Sequence, residues 1–155
     1  LVALAASLLL ASPLAAEEKG GAADLLDRGQ QLFRQGDLAG AMQAFDGAAK
    51  ADPKDARPHY LRGVALEKKG DAAGAMAAYR QAIARQADFA EAHNNLGSLL
   101  QAKGDHAGAA AEFEAAVKAK PSYAEAQYNL GIARDTLGKK SEAVAAYKEA
   151  VRLKP

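Results

Sequence analysis

Apolar and small residues along this chain recur at helical spacing, and the helices they predict come in pairs. From Ala90 onward, His93, Leu96, Gly97 and Leu100 fall at i, i+3, i+4 and i+7, one face of a helix. Gly104 then ends that helix, as a residue able to take left-handed backbone just past a helix terminus. Asp105 is placed to cap a second helix, whose apolar stripe is Ala109, Phe113 and Ala116, with Pro121 marking the exit. Ser122 with Glu125, and Asp88 with Glu91, have the spacing of a capping box. The stretch from Ala90 to Tyr123 is therefore predicted to be a helical hairpin.

The same pattern stands before and after that stretch. Gly29, Gly63, Gly97 and Gly131 are each separated by 34 residues. Turn glycines recur as Gly36, Gly70, Gly104 and Gly138. Small residues recur as Ala41, Ala75, Ala109 and Ala143, and again as Ala48, Ala82, Ala116 and Ala150. Between them stands an aromatic residue: Phe45, Tyr79, Phe113 or Tyr147. Proline closes three units, at Pro53, Pro121 and Pro155, and Ala87 replaces it in the second. A glycine inside a helix costs about 1 kcal/mol relative to alanine, so four of them need a compensating contact. The aromatic column is predicted to supply it by packing over the missing side chain.

These columns resemble the tetratricopeptide repeat, a helix-turn-helix of this period with L-G, A, F and P at characteristic places. The ankyrin repeat is a poorer match, because its period is one residue shorter and its T-P-L-H signature is absent. The resemblance covers Ala22 to Pro155, in repeats 22–55, 56–89, 90–123 and 124–155, the last two residues short. Departures are local: Arg28 and Arg62 stand in the column of Leu96 and Leu130, and His59 and His93 where the family often has tryptophan. The resemblance implies an all-α fold, a right-handed α-solenoid of four stacked hairpins.

It also implies a concave groove, lined by a second stripe on the first helix of each hairpin. In this chain that stripe is Ala23, Leu26, Gln30 and Phe33, then Arg57, Tyr60, Val64 and Glu67. It continues as Glu91, Asn94, Ser98 and Gln101, and ends as Glu125, Tyr128, Ile132 and Asp135. Asn95 and Asn129 fall at the groove edge, where they could pair with the backbone of a ligand or satisfy local backbone groups. Glu91 and Glu125 read first as capping-box acids. Tyr60 and Tyr128 read equally as ligand anchors or as covers for neighbouring helices. One variant of the family clamps a C-terminal carboxylate with lysines and asparagines. Here the relevant column holds Leu26, Tyr60, Asn94 and Tyr128, so that clamp is not expected. The aromatic, amide and acidic mixture suits a peptide with apolar and basic residues.

Composition narrows the function further. Of the 155 residues, 25% are charged, and the net charge of +1 gives no basic excess for nucleic acid. There is no cysteine, hence no disulfide, thiolate metal site or cysteine nucleophile. His59 and His93 occupy equivalent columns and read as packing residues, while His106 opens a second helix away from the groove. Phosphate loops, H-E-x-x-H and nucleophile elbows are missing. The expectation is a non-enzymatic chain with no cofactor and no metal, whose partner is a protein or peptide.

Residues Leu1 to Ala16 carry no charge and end in small residues before Glu17 and Glu18. They resemble the apolar part of a secretory signal peptide, cleaved after Ala16. The alternatives are an uncleaved membrane anchor, shorter than the roughly 20 apolar residues a span needs, or a disordered tail. Residues 17–21 read as a linker. A stack of hairpins needs a solvated end unit, and none follows Pro155; truncation at both ends is the expectation. Three functions remain: an exported, periplasmic or envelope-associated adaptor binding a protein or peptide in its groove; the repeat region of a larger protein with a catalytic or effector domain; or a scaffold that self-associates through its uncapped last hairpin. Membrane contact is expected only if the N-terminal segment is not cleaved.

Overall fold

A computed structural model describes residues 21–154. The expected signal segment, most of the linker and the closing Pro155 lie outside the described residues. Eight helices are present among those described. They pair as α1 (Ala22–Gln35) with α2 (Leu38–Ala51), α3 (Arg57–Lys69) with α4 (Ala72–Arg85), α5 (Ala90–Ala102) with α6 (His106–Ala119), and α7 (Ala124–Thr136) with α8 (Lys140–Leu153). Each helix packs on the next in sequence, and α1 also meets α3 as α5 meets α7. The first helices of successive hairpins therefore lie side by side along one face, and the repeat reading holds as a stacked α-solenoid.

Local chemistry sets the turns. Gly36, Gly70, Gly104 and Gly138 have φ between 76 and 87°, the left-handed region that L side chains avoid. This lets the next residue reach back: Asp37, Asp71, Asp105 and Lys139 donate their amides to the carbonyls of Leu32, Leu66, Leu100 and Arg134, closing the last turn of each first helix. Asp37, Asp71 and Asp105 then accept from the amides of Gly40, Gly74 and Gly108 at 2.8 to 2.9 Å, capping the second helix as predicted for Asp105. A Cβ on any of these three glycines would strike the capping carboxylate. In the fourth hairpin both partners change together, to Lys139 and Glu142, and α8 has no side-chain cap.

The capping boxes expected at the hairpin junctions do not form. Phe89 and Tyr123 occupy the N-cap positions of α5 and α7, without a side-chain hydrogen bond to the helix. Asp88 and Ser122 therefore sit one residue too early. Glu91 instead accepts from Lys120 at 3.0 Å, and Glu125 accepts from Asn94 at 3.2 Å. Both acids tie neighbouring segments together rather than cap their own helix.

Inside each hairpin the aromatic column lies on the glycine column. A Cβ added to Gly29 would stand 2.5 Å from the Phe45 ring, one on Gly63 2.5 Å from Tyr79, and one on Gly97 2.8 Å from Phe113. Gly131 faces Tyr147 in the same way. The alanine columns are fully buried at Ala41, Ala75, Ala109, Ala48, Ala82 and Ala116, so the paired helices approach closely. One apolar cluster runs through the second to fourth hairpins around Leu66, Tyr79, Leu96, Phe113 and Leu130. A separate one, around Leu26, Phe45 and Ala65, fills the first junction.

The polar departures from the repeat pattern are accommodated locally. Arg62, in a leucine column, extends to Asp46 at 3.1 Å. Buried His93 places Nδ1 2.6 Å from a Glu112 carboxylate oxygen and Nε2 3.0 Å from the Ala87 carbonyl. Both ring nitrogens thus face acceptors, an arrangement satisfied only by the doubly protonated imidazolium. Glu112 accordingly raises the His93 pKa above its ordinary value, against the opposing effect of burial. His59, lacking such a carboxylate, is pushed down by burial first and then by Arg85.

Two outcomes follow from this packing. Gly97→Ala, despite its better helix propensity, is expected to lower stability by about 1–3 kcal/mol through overpacking, because Phe113 is only 1% exposed and cannot move aside. Gly131→Ala costs less, since Tyr147 on the last hairpin is partly exposed and less confined than Phe113. Urea midpoints would measure both, and equal losses would exclude the ring-on-glycine account. For His93, a raised folded pKa means that its stabilisation is complete below the unfolded value of about 6.5 and is lost as pH rises through the folded value. The stability gap between wild type and His93→Gln should therefore be full below about pH 6.5 and shrink as pH rises above it. A gap independent of pH would show that the ring is not charged.

Candidate functional site

The face made by α1, α3, α5 and α7 carries most of the residues expected there, but not all reach its surface. Leu26 is 4% exposed and belongs to the core beside Phe45. Asn94 is 1% exposed. These two are corrections to the groove list: their column points into the junction between hairpins wherever the side chain is short enough to be enclosed. In the same column Tyr60 is partly buried, its ring 4.9 Å from Phe89 and 5.8 Å from Tyr79. Tyr128, which lacks a following hairpin within the described residues, is 54% exposed. Ser98 and Arg57 are exposed, and Gln30, Val64, Asn95, Gln101, Asn129 and Ile132 are partly exposed.

Asn94 is the hub of a polar bridge between the third and fourth hairpins. Its amide nitrogen donates to Glu125, and its carbonyl accepts from the Asn129 amide at 3.0 Å. Ser98 donates back to the Asn94 backbone carbonyl at 3.0 Å. One junction earlier, a different trio fills the corresponding space. The Tyr79 hydroxyl donates to Glu67 and accepts from the Asn95 amide at 3.2 Å. Asn95 and Asn129, read as pairing either with a ligand's backbone or with local backbone groups, instead donate to the side chains of Tyr79 and Asn94. Arg57 is similarly held, in a two-pronged contact with Asp55 at 2.7 to 3.0 Å that also keeps the Asp55 carboxyl below the ordinary range.

Carboxylates converge on the middle of the groove. Burial raises the Tyr60 pKa, and Glu91, Glu67 and Glu125 add to the rise. Burial pushes Tyr123 up to about 12, with Glu125 and Glu91 contributing. At the other end, between the first two hairpins, the groove floor opens into a cavity of about 270 Å³. Gln30, Phe33, Arg34, Phe45, Leu61 and Val64 line it. Gln30, Phe33 and Val64 were legible as groove residues. Arg34, Leu61 and Phe45 were not, although their positions mirror Lys68, Asn95 and Tyr79 one repeat later. A second depression, of about 310 Å³, lies on the last hairpin between Val144, Tyr147, Lys148 and Val151.

Among the described residues no cluster of three or more His, Asp or Glu could hold a metal ion. No described helix is long and apolar enough to cross a membrane.

The architecture is that of an α-solenoid, a stack of helical hairpins presenting one continuous inner face. The family model for the tetratricopeptide repeat matches residues 26–91, 60–124 and 94–155, and the chain belongs to that family. Among solved structures, MamA superposes with a TM-score of 0.79 at 26% identity, over 90% of this chain and 81% of its own. MamA from Desulfovibrio magneticus RS-1 gives 0.75 at 27% identity, over 86% and 76%. YrrB, described as a TPR protein with an unusual peptide-binding site, gives 0.70 at 22% identity, over 86% and 69%, a likeness of fold. No curated protein matches the chain in sequence.

If Asn94 bridges two hairpins, its loss and that of Asn129 must be coupled. Asn94→Ala should cost about 1–3 kcal/mol by stranding a half-buried amide. The double variant with Asn129→Ala should cost less than the sum by at least about 0.5 kcal/mol. Ser98→Ala should stay within about 0.5 kcal/mol of wild type. Additive losses in a thermal or urea cycle would exclude the bridge.

Proposed function

We propose that this protein is a non-catalytic adaptor whose first-helix face binds an extended peptide or a partner's segment. The observation that carries this reading is the continuity of that face. Exposed and partly exposed side chains run along it from Gln30 through Val64, Ser98 and Gln101 to Ile132 and Tyr128. The polar groups behind them are fixed by hydrogen bonds inside the protein. A ligand therefore meets a preformed surface, which reduces the ordering cost of binding. Near its centre, the Glu67 and Glu125 carboxylates bond, among the described residues, only to the neutral side chains of Tyr79 and Asn94, which leaves them to face a basic residue of the ligand. Tyr128 offers an exposed ring at one end.

We place the adaptor in an exported setting, on the strength of the uncharged apolar run over residues 1–16 and its small-residue exit. In that setting the protein is periplasmic or envelope-associated, with cleavage after Ala16. N-terminal sequencing of the mature protein from its native cells checks the cleavage, which a mature chain that retains Leu1 to Ala16 would exclude, and cell fractionation checks the setting, which recovery in the cytoplasmic fraction would exclude.

The groove reading is tested by selecting a random dodecapeptide display library on the purified protein. Selected peptides are expected to lose affinity roughly tenfold or more, about 1.4 kcal/mol, when Ser98→Trp fills the middle of the face. Ala111→Trp, on an exposed position of α6, should leave binding unchanged. Circular dichroism would establish that both variants keep the wild-type helix content. Equal binding by both variants would place the peptide elsewhere on the molecule.

A further inference from the structure

The repeat supplies an internal control for every junction, and the first junction departs from it in a concerted way. At the second junction, the side chains of Glu67, Tyr79 and Asn95 meet in a hydrogen-bonded trio. The positions 34 residues earlier hold Phe33, Phe45 and Leu61. All three polar groups are replaced by apolar ones of different shape, and the space the trio occupies in one junction is an open cavity in the other. Tyr79 is the shared partner, so its loss would unpair both others; replacement of all three leaves a consistent apolar lining.

The recess opens to solvent at the groove surface, while the core behind it closes, with Leu26, Phe45 and Ala65 buried. An apolar cavity of about 150 Å³ already accepts a benzene ring, and this one measures about 270 Å³. It therefore has room for a branched or aromatic side chain. Its mouth is cationic. Arg34 is part of the lining, and the Lys68 ammonium lies 4.8 Å from the centre of the Phe33 ring. Both side chains are exposed, and neither has an ion-pair partner among the described residues.

We infer that this cavity is the anchor subsite of the groove, taking one large apolar side chain of a ligand whose adjacent residues are acidic. The inference rests on the groove reading above and deepens it. The ligand carries both charges: its acidic, apolar-anchored part lies on the first two hairpins, and its basic part lies over Glu125, whose only hydrogen bond among the described residues is from the neutral Asn94 amide. Complementarity at both ends fixes the direction in which the segment runs, since the reversed orientation sets like charges against each other at both ends.

The test uses the full chain and the same dodecapeptide library. Peptides selected on wild type should be enriched in Leu, Ile, Met or Phe next to Asp or Glu. Replacing that apolar residue by alanine should weaken binding roughly tenfold. The triple variant Phe33→Glu, Phe45→Tyr, Leu61→Asn installs the trio of the second junction and should lose the enrichment. Arg34→Glu, an exposed change that leaves the core intact, should move the flanking preference from acidic to basic. A wild-type pool without the apolar-acidic pair, or a pool unchanged by both the triple variant and Arg34→Glu, would overturn the anchor. If those same peptides are still lost with Ser98→Trp, the groove survives and the anchor alone is wrong. If no peptide responds to Ser98→Trp, both fall.

Discussion

Everything in this protein depends on how closely the two helices of a hairpin approach, and that distance is set by an aromatic ring lying on a glycine. Phe45, Tyr79, Phe113 and Tyr147 occupy the space where a Cβ would be. The helix propensity lost at each glycine, about 1 kcal/mol, is offset by burial of a ring of roughly 150–250 Å². Because the contact recurs at a constant interval, each hairpin has the same shape and stacks on the next in the same way. The inner face is a consequence: identical hairpins stacked side by side must align their first helices.

That regularity leaves the junctions free to differ. Within a hairpin the glycine, alanine and aromatic columns admit little variation, since their members touch on all sides. Between hairpins the same column holds Leu26, Tyr60 and Asn94, and each solves its junction differently. Leu26 joins an apolar core, Tyr60 stacks on Phe89, and Asn94 bridges to Asn129 and Glu125, while Tyr128 turns back on Tyr147 of its own hairpin with rings 5.7 Å apart. His93 adds a bond of another kind, holding Glu112 on α6 and the carbonyl of Ala87 before α5.

The fold was legible because its determinants are periodic and local. Glycine position, Asp caps and aromatic spacing each act within one hairpin, so their meaning could be read from spacing alone. The groove was legible only as a set of columns. Whether a column member is exposed depends on what the next hairpin places opposite it, and that is a contact between residues about one repeat apart. Asn94 looked like a ligand contact because its partners, Glu125 and Asn129, cannot be paired with it by periodicity. Glu91 and Glu125 looked like helix caps because their spacing to Asp88 and Ser122 was right. The helix starts one residue later than that spacing requires, so both acids were available for Lys120 and Asn94.

Repetition also changes what counts as an informative residue. In a chain without internal symmetry, Phe33, Phe45 and Leu61 would be three ordinary apolar side chains beside a core. Here each has a counterpart in the next junction, and the three counterparts form one polar unit. Replacing Tyr79 alone would unpair both other members, whereas replacing Glu67 or Asn95 alone would leave one bond in place. All three positions differ together, and the product is an apolar recess open to the groove. An occupant from outside the chain supplies the missing contacts, and the exposed cations at the mouth define its chemistry.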